Sequence, residues 1–177
     1  MTNLLWYARD AKVWIGDALT GISPSTTLKT QMASATDFTG KCKEVKISGA
    51  ERDLEAINVL GIGQLDQQGR PTIVECTLTL IYDDATKSGQ FLAGSIKAVT
   101  GTTFNRVTFG EHDASYGDRV RKAVLIELDD GTNKVYALLN NSFATTREWS
   151  LAADGHVEET LTFKGLAQNY MEEDNIA

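Results

Sequence analysis

Hydrophobic and polar residues alternate along most of this chain, which is the pattern of half-buried strands in an antiparallel sheet. The clearest case runs from Thr72 to Tyr82, where a valine, a cysteine, two leucines and a tyrosine alternate with a glutamate and two threonines. The other strands that the pattern predicts are 11–15, 41–48, 54–60, 104–109, 120–128, 134–140, 143–151 and 156–164. Leu78 and Leu161 are expected in the core, since both lie on the apolar side of their strands.

One helix is predicted among these strands, at about residues 85–99. Asp83 and Asp84 supply N-cap chemistry, apolar residues recur at helical spacing from Phe91 to Val99, and Gly101 is a suitable C-terminal stop. An even series of short strands with glycine-rich turns favours a sandwich or barrel over alternating β-α units. We therefore predict a mainly β, antiparallel sandwich or barrel-like fold with one flanking helix.

The length of 177 residues suggests a single domain. Residues 1–40 are predicted to form a first strand followed by a long Ser-, Thr- and Gly-rich arm that covers a surface. Residues 41–165 form the predicted β core with its helix, and 166–177 an acidic C-terminal tail. Within the core, glycines between 61 and 69 are expected to loosen the chain.

Charge narrows the classes of function. The 17 lysines and arginines are outnumbered by 24 aspartates and glutamates, which gives a net charge of −7. This is the opposite of the basic surface that drives tight nucleic-acid binding. The longest apolar runs are only as long as a strand, so no membrane-spanning helix is predicted, and residues 1–12 lack the pattern of a secretory signal. Folding in a cytoplasm is therefore expected.

Sequence motifs offer no credible catalytic site. The segment Gly61-Ile62-Gly63-Gln64-Leu65-Asp66 begins like a dinucleotide-binding loop but lacks the third glycine and a following helix. His112 and His156 belong to different predicted hairpins and have no ligand-spaced partners for zinc. The cluster Glu111-His112-Asp113 with Ser115 matches no known nucleophile motif. We expect no enzyme activity, no metal and no cofactor.

The two cysteines, Cys42 and Cys76, lie far apart in the chain and outside any metal-ligand spacing. Strand parity places Cys42 on the polar side of its strand and Cys76 on the apolar side. The two thiols are therefore expected to face opposite sides of a sheet and not to form a disulfide.

A polar sheet face is the most informative feature of the sequence. Opposite the apolar side, several strands present threonine and charged residues almost without aromatics. The residues concerned are Glu44, Lys46, Glu75, Thr77, Thr79, Glu158, Thr160 and Thr162. Contact of one sheet face with water is the ordinary explanation.

The same strands carry a family resemblance. The segment Lys46–Asp53 leading to Asn58–Gly61, the strand Glu75–Leu80 and the ending Ala153–Phe163 resemble the tail tube (major tail) proteins of long-tailed bacteriophages. The order of elements is also similar, and the resemblance covers about residues 41–165.

This resemblance implies a structural subunit that forms hexameric rings, which stack into a hollow tube for DNA delivery. Inner sheets of neighbouring subunits would join into a closed barrel of about four strands per subunit, with the polar face lining the lumen. The implied partners are other copies of the chain, a tape measure protein and tail tip or terminator proteins. DNA passes without specific binding, no membrane is involved, and the location is the virion tail after assembly in the host cytoplasm. The loops expected between rings contain Gly49, Glu51, Arg52, Asp53, Gly61, Gly63 and Gly69.

Two alternatives stay open. The chain is also compatible with the inner tube of a contractile tail or of an injection or secretion system, which shares the architecture. A monomeric β-barrel that binds a ligand in an apolar pocket belongs to a different class.

Overall fold

The computed structural model describes residues 11–49, 52–59, 63–82, 91, 95–108, 121–151 and 155–175. Within them the chain is mainly β and antiparallel, which confirms the predicted class. The strands are β1 (Ala11–Asp17), β2 (Thr36–Asp37), β3 (Cys42–Ser48), β4 (Arg52–Val59), β5 (Gly63–Pro71), β6 (Ile73–Ile81), β7 (Ser95–Ala98), β8 (Asn105–Thr108), β9 (Lys122–Asp129), β10 (Lys134–Ser150), β11 (Glu158–Leu166) and β12 (Tyr170–Asn175). Helix α1 (Leu28–Gln31) has four residues, and no helix in the described ranges is long and apolar enough to cross a membrane.

Eight strands form one antiparallel sheet in the order β2-β1-β9-β10-β11-β6-β3, with β12 paired to β10. Strand β10 is 17 residues long, and its residues 134–139 and 143–150 belong to different halves of this sheet. We call β2, β1, β9, residues 134–139 of β10, and β12 the covered half-sheet. Residues 143–150 of β10 with β11, β6 and β3 are the polar half-sheet. Strands β4 with β5, and β7 with β8, form separate hairpins.

A bend at the middle of β10 separates the two half-sheets. Asn141 adopts the left-handed conformation with φ 55° there. Next to it, the Asn140 side chain accepts a hydrogen bond from Leu19 N at 2.9 Å and donates one to Leu19 O at 3.1 Å. The Ser142 hydroxyl donates to Lys122 O at 2.9 Å. Side chains at the bend thus bond backbone groups of the arm at Leu19 and of β9 at Lys122.

The main core lies between the two half-sheets. Its buried residues include Val13, Ile15, Val124 and Ile126 from the covered half and Val74, Cys76, Leu78, Leu80, Leu161 and Phe163 from the polar half. Alternate residues of β6 are fully buried, as its period-two pattern predicts. One face of the polar half-sheet is therefore fixed as the core face.

A second apolar cluster covers the opposite face of the covered half-sheet. The arm between β1 and β3 packs Leu28 and Met32 against Trp14 and Leu125. Helix α1 begins after Thr27, whose hydroxyl accepts a hydrogen bond from Thr30 N. Because both faces of this half-sheet are covered, β9 is apolar at consecutive positions rather than alternate ones.

The predicted helix at 85–99 is wrong where the structure describes it. Ser95–Ala98 is a strand paired with Asn105–Thr108, whereas 85–90 and 92–94 lie outside the described residues. Gly101, with φ 77°, lies in the hairpin turn instead of ending a helix, and Val99 N donates to Phe104 O at 2.9 Å. The four residues 95–98 have mixed polarity, so their pattern fits both the helical and the strand period. The hairpin turn that follows them makes the segment a strand.

Three other segments differ from the sequence-based prediction. The glycine-containing stretch expected as a loose loop forms β5, which pairs with β4 along its length. The acidic C-terminal segment contributes β12 to the covered half-sheet. The predicted strands 134–140 and 143–151 are one continuous strand that bends. No closed barrel forms among the described strands, because β3 and β12 end the two half-sheets without pairing to each other.

Candidate functional site

The polar half-sheet presents rows of aligned polar side chains on the face away from the core. Strand register places one residue from each of its four strands side by side in each row. The threonine row is Lys46, Thr77, Thr162 and Thr146, and the glutamate row is Glu44, Thr79, Thr160 and Glu148. Glu75 is aligned with Lys164, and Glu158 with Ile81. The eight residues singled out from the sequence therefore lie together on one face.

Threonines form the middle of this face. The hydroxyls of Thr77 and Thr162 lie 3.4 Å apart, and the Thr145 hydroxyl donates to Thr162 O at 3.3 Å. Thr162 is buried by its neighbours, whereas Thr79 and Thr160 are half-buried. β-branched side chains pack well against their cross-strand neighbours, so the threonines support one another across β6 and β11.

Ion pairs neutralise part of the charge on this face. Lys164 Nζ lies 2.8 Å from Glu75 Oε2, and Lys43 bonds the carboxylate of Glu158. All four side chains keep a third or more of their surface exposed, so each pair adds little stability. These ion pairs instead reduce the net negative electrostatic potential of the face, which carries four glutamates and three lysines. Among the described residues Glu44, Lys46 and Glu148 form no ion pair.

A β-bulge corrects the expected position of Cys42. The pairing of β3 with β6 shifts between Cys42 and Glu44, with Lys43 as the extra residue. Cys42 therefore packs against the core, like Cys76, rather than lying on the polar face. Both thiols are free, although not for the predicted reason. Burial raises the pKa of Cys76 to about 12 and also raises the pKa of Cys42.

Strands β3 and β10 form the two edges of the polar half-sheet. Within the described chain, β3 pairs only with β6, and the last residues of β10, 146–150, pair only with β11. Proteins normally protect such edges, because exposed N–H and C=O groups pair readily with other chains. Both edges of this half-sheet are thus unpaired as far as the described strands are concerned.

A buried ion pair supports the core side of β10 near its end. Arg147 donates from Nε to Glu159, and Trp149 donates from Nε1 to the same carboxylate oxygen at 3.3 Å. The rings of Tyr82 and Trp149 lie 4.8 Å apart, and the Arg147 guanidinium lies 4.8 Å from the Trp149 ring centroid. These contacts fix the position of the β10 edge strand.

Sequence reasoning missed the contribution of β10 to the face, namely Thr146 and Glu148. Their alternation with Arg147 and Trp149 is a period-two signal. It does not stand out, because an arginine occupies a position where an aliphatic residue is expected. Only the strand pairing identifies which side of β10 is the polar one.

Residues expected between rings lie in or beside the β4–β5 hairpin. Gly49 precedes it with φ 82°, and the Thr72 hydroxyl donates to Gly49 O at 2.9 Å. Four more of the predicted residues belong to its strands rather than to loops: Arg52, Asp53, Gly63 and Gly69. Glu51 and Gly61 lie outside the described residues.

The remaining sequence candidates do not form a site in the described chain. His156 is exposed next to the bend at Gly155, and residues 111–115 lie outside the described ranges. No group of three or more His, Cys, Asp or Glu side chains suited to a metal ion is found among the described residues.

A cavity of about 590 Å³ opens between the edges of β3 and β12. Its walls are mainly apolar, with Val45, Ile126 and Val135 among the lining residues, and Lys43 and Glu172 also line it. The size and lining are within the usual range for small-molecule sites.

Comparison with solved structures finds a similar fold in the tail tube of SPP1, solved by solid-state NMR combined with cryo-EM. Identity is 12%, the match covers 98% of this chain and 81% of that chain, and the TM-score is 0.51. A chain of the extended sheath–tube complex of a PVC extracellular contractile injection system matches at 14% identity, over 98% and 95%, with a TM-score of 0.49. A chain from the tail of an empty GTA particle matches at 10% identity, over 90% and 93%, with a TM-score of 0.42. Neither a protein-family model nor a curated protein matches the sequence. The resemblance to tail tube proteins is thus confirmed at the level of the fold.

Proposed function

We propose that this chain is a structural, non-enzymatic subunit of a phage tail tube. Copies join into hexameric rings, and the rings stack into a hollow conduit through which DNA enters the host. The observation that carries this proposal is the polar half-sheet, which has one face in the core, one polar face and two edges that pair with no further described strand. A lone subunit leaves those edges exposed, and ring closure removes them.

The number of strands in this half-sheet supports side-by-side assembly. Its four strands alternate in direction, so β3 runs opposite to β10. When a second copy is placed beside the first by rotation, its β10 runs antiparallel to β3 and can continue the sheet. An odd number of strands would bring parallel edges together instead.

A barrel built this way has a water-filled interior. Four strands from each of several copies exceed the roughly 16–18 strands at which a β-barrel leaves an aqueous channel. The face opposite the core can then be polar, as the threonine and glutamate rows are. Fold similarity to the SPP1 tail tube points to the same use of the half-sheet.

Charge on the proposed lumen wall suits the passage of DNA. A wall rich in lysine and arginine would hold phosphates and release their counterions, which favours binding. Here two of the three lysines are already bonded to Glu75 and Glu158. The wall offers few free cations and therefore lets DNA slide.

The other proposed partners follow from the same assembly. The β4–β5 hairpin connects β3 to β6 at one end of the polar half-sheet, and this position suits contact with the next ring. A tape measure protein, tail tip and terminator proteins complete a virion tail assembled in the host cytoplasm. The inner tube of a contractile tail or injection system is the related alternative, and a sheath gene beside the gene for this chain would favour it.

Negative-stain microscopy of the purified full chain, over a range of protein concentrations, tests the proposal. Rings or tubes with a central channel are expected. A chain that remains monomeric by light scattering at the highest soluble concentration would contradict it. A Leu78→Lys variant, which places a charge in the core, is the control for nonspecific aggregation.

The cavity between β3 and β12 supports a second candidate function, a monomeric protein that binds an apolar ligand. Under that function the chain stays monomeric, and a solvatochromic apolar dye binds with saturation at one site. Replacing Val45 with Trp would fill the cavity and abolish the dye signal. Dye binding by monomers combined with absence of rings would favour this function over the tube.

A further inference from the structure

Lys46 on β3 and Glu148 on β10 are exposed on the same polar face, one at each edge of the half-sheet. The β3 edge therefore presents Lys46 next to Glu44, and the β10 edge presents Glu148. We propose that Lys46 of one copy pairs with Glu148 of the next, an inference that rests on the proposed function. This ion pair sets the register of the seam, by which we mean the pairing of β3 of one subunit with β10 of its neighbour.

Alignment without stagger is unfavourable at this seam. Within one copy, Glu44 and Glu148 belong to the same row, at its two ends. If the next copy continued the rows directly, its Glu148 would lie opposite Glu44 and two carboxylates would face each other. Like charges directly opposite each other on neighbouring strands are destabilising.

A shift of two residues removes this conflict. It places Glu148 of the next copy opposite Lys46, and Ser150 opposite Glu44. The parity of both strands is preserved, so every polar side chain stays on the polar face. Directly opposed side chains have Cβ atoms about 4.5–5.5 Å apart, which a lysine and a glutamate can span.

A shift of two residues in the other direction gives no such pair. It places Thr146 opposite Glu44 and leaves Lys46 without a carboxylate. Glu148 then lies near the bulge at Lys43, whose ammonium already bonds Glu158. Only one of the two directions places Lys46 opposite Glu148.

The stagger itself has a geometric role. A sheet closes into a barrel only when its strands tilt and their register is offset around the circumference. In the described half-sheet the residue rows run straight across from β3 to β10, apart from local bulges. A fixed offset at each seam supplies the displacement that the rows within one copy do not.

Charge reversal in the full chain tests the pair. Lys46→Glu and Glu148→Lys should each raise the protein concentration needed for half-maximal assembly by about tenfold or more, because each places like charges at every seam. The double variant restores the pair in reverse and should return this concentration to within about threefold of the unmodified chain. Assembly is measured by sedimentation and by counting rings in micrographs.

Glu44→Lys is the matched control, since it reverses a charge on the same face of the same strand. It should assemble like the unmodified chain when Ser150 lies opposite. In an unstaggered seam it would instead strengthen assembly, by attracting Glu148, while Lys46→Glu would have little effect.

Cysteine cross-linking gives a readout that does not depend on assembly strength. In a Cys42→Ser background, Lys46→Cys with Glu148→Cys should form intermolecular disulfides upon addition of a thiol oxidant, giving a ladder of covalent multimers. Glu44→Cys with Glu148→Cys should not. The proposed seam is overturned by the reverse cross-linking pattern, or if the double charge reversal fails to restore assembly. If the unmodified chain still forms rings in that case, the proposed tube function stands. Absence of any ring from the unmodified chain overturns both.

Discussion

The guanidinium of Arg147 donates to the carboxylate of Glu159 inside the protein, with only 9% and 2% of the two side chains exposed. The two residues are diagonal neighbours on β10 and β11, and Trp149 donates to the same carboxylate. Taking such charges out of water is costly, and each compensates the other. The pair therefore makes the edge strand sensitive to the loss of either partner.

Replacing Glu159 with Ala should lower the free energy of unfolding by about 3–5 kcal/mol, because it removes the buried carboxylate that accepts hydrogen bonds from Arg147 and Trp149. Urea denaturation followed by circular dichroism measures the change. Glu158→Ala is the adjacent control, since the ion pair of Glu158 with Lys43 is more exposed, and about 0–1 kcal/mol is expected. Equal losses in the two variants would show that the buried pair has no special role.

The two faces of the polar half-sheet should respond differently to lysine. Thr79→Lys with Thr160→Lys adds two neighbouring cations to the polar face, but Glu44 and Glu148 flank them in the same row, so stability should change by only about 0.5 kcal/mol per site. Leu78→Lys buries an unpaired charge at a position with no exposed surface, and should prevent folding.

DNA passage gives the functional readout for the same threonine variant. Added cations let phosphates displace counterions, so tubes of this variant should bind DNA and release it as salt rises. Electrophoretic retention of DNA by purified tubes, at several salt concentrations, measures this. If the threonine variant failed to assemble and the Leu78→Lys variant formed normal tubes, the assignment of the core face and the polar face would be inverted.

Gly49 is required by both its conformation and its surroundings. Its φ is 82°, and a Cβ added there would lie 2.2 Å from the Ile73 carbonyl oxygen. Gly101 has a similar φ of 77° but open space around it. Gly101→Ala should therefore cost about 1–2 kcal/mol for the left-handed conformation alone, and Gly49→Ala distinctly more. Thermal denaturation of both variants tests this, and equal melting temperatures would contradict it.

Alkaline pH should weaken the fold through Cys76. Burial raises its pKa from 9.0 to about 12, so the unfolded chain loses the thiol proton first as pH rises. The stabilisation from the protonated thiol is complete below pH 9 and declines from there to about pH 12, by about 1.4 kcal/mol per pH unit at most. Cys76→Ala should flatten this part of the curve, whereas a Cys42→Ser variant should retain it. A curve unchanged in Cys76→Ala would show that other groups cause the decline.

Strand pairing explains which parts of the fold could be predicted from the sequence. β6 was predictable because it lies in the middle of the polar half-sheet, with core on one side only, and its side chains alternate without exception. β5 was not, because glycine and glutamine have little intrinsic preference for strands and the segment is ordered by pairing with β4. The position of Cys42 also escaped prediction, since one extra residue at a bulge reverses parity without any signal in the pattern.

The candidate site was predicted in composition but not in extent. Residues on β3, β6 and β11 follow from parity, and the register then joins them into rows. The polar residues of the edge strand β10 were not predicted. The core side of this strand includes Arg147, and its ion pair with Glu159, on the next strand, is visible only in the structure. Long-range pairing of this kind has no local signature.

The continuous path of β10 through both half-sheets has a mechanical consequence. Force applied to the polar face reaches the covered half-sheet along a single backbone, through peptide bonds and not only through contacts between side chains. At the bend, Asn140 and Ser142 tether this backbone to the arm and to β9. Pressure from inside a tube would thus place the continuous backbone of β10 under tension in each subunit. Separation of the polar half-sheet from the covered half-sheet would then be resisted by this backbone.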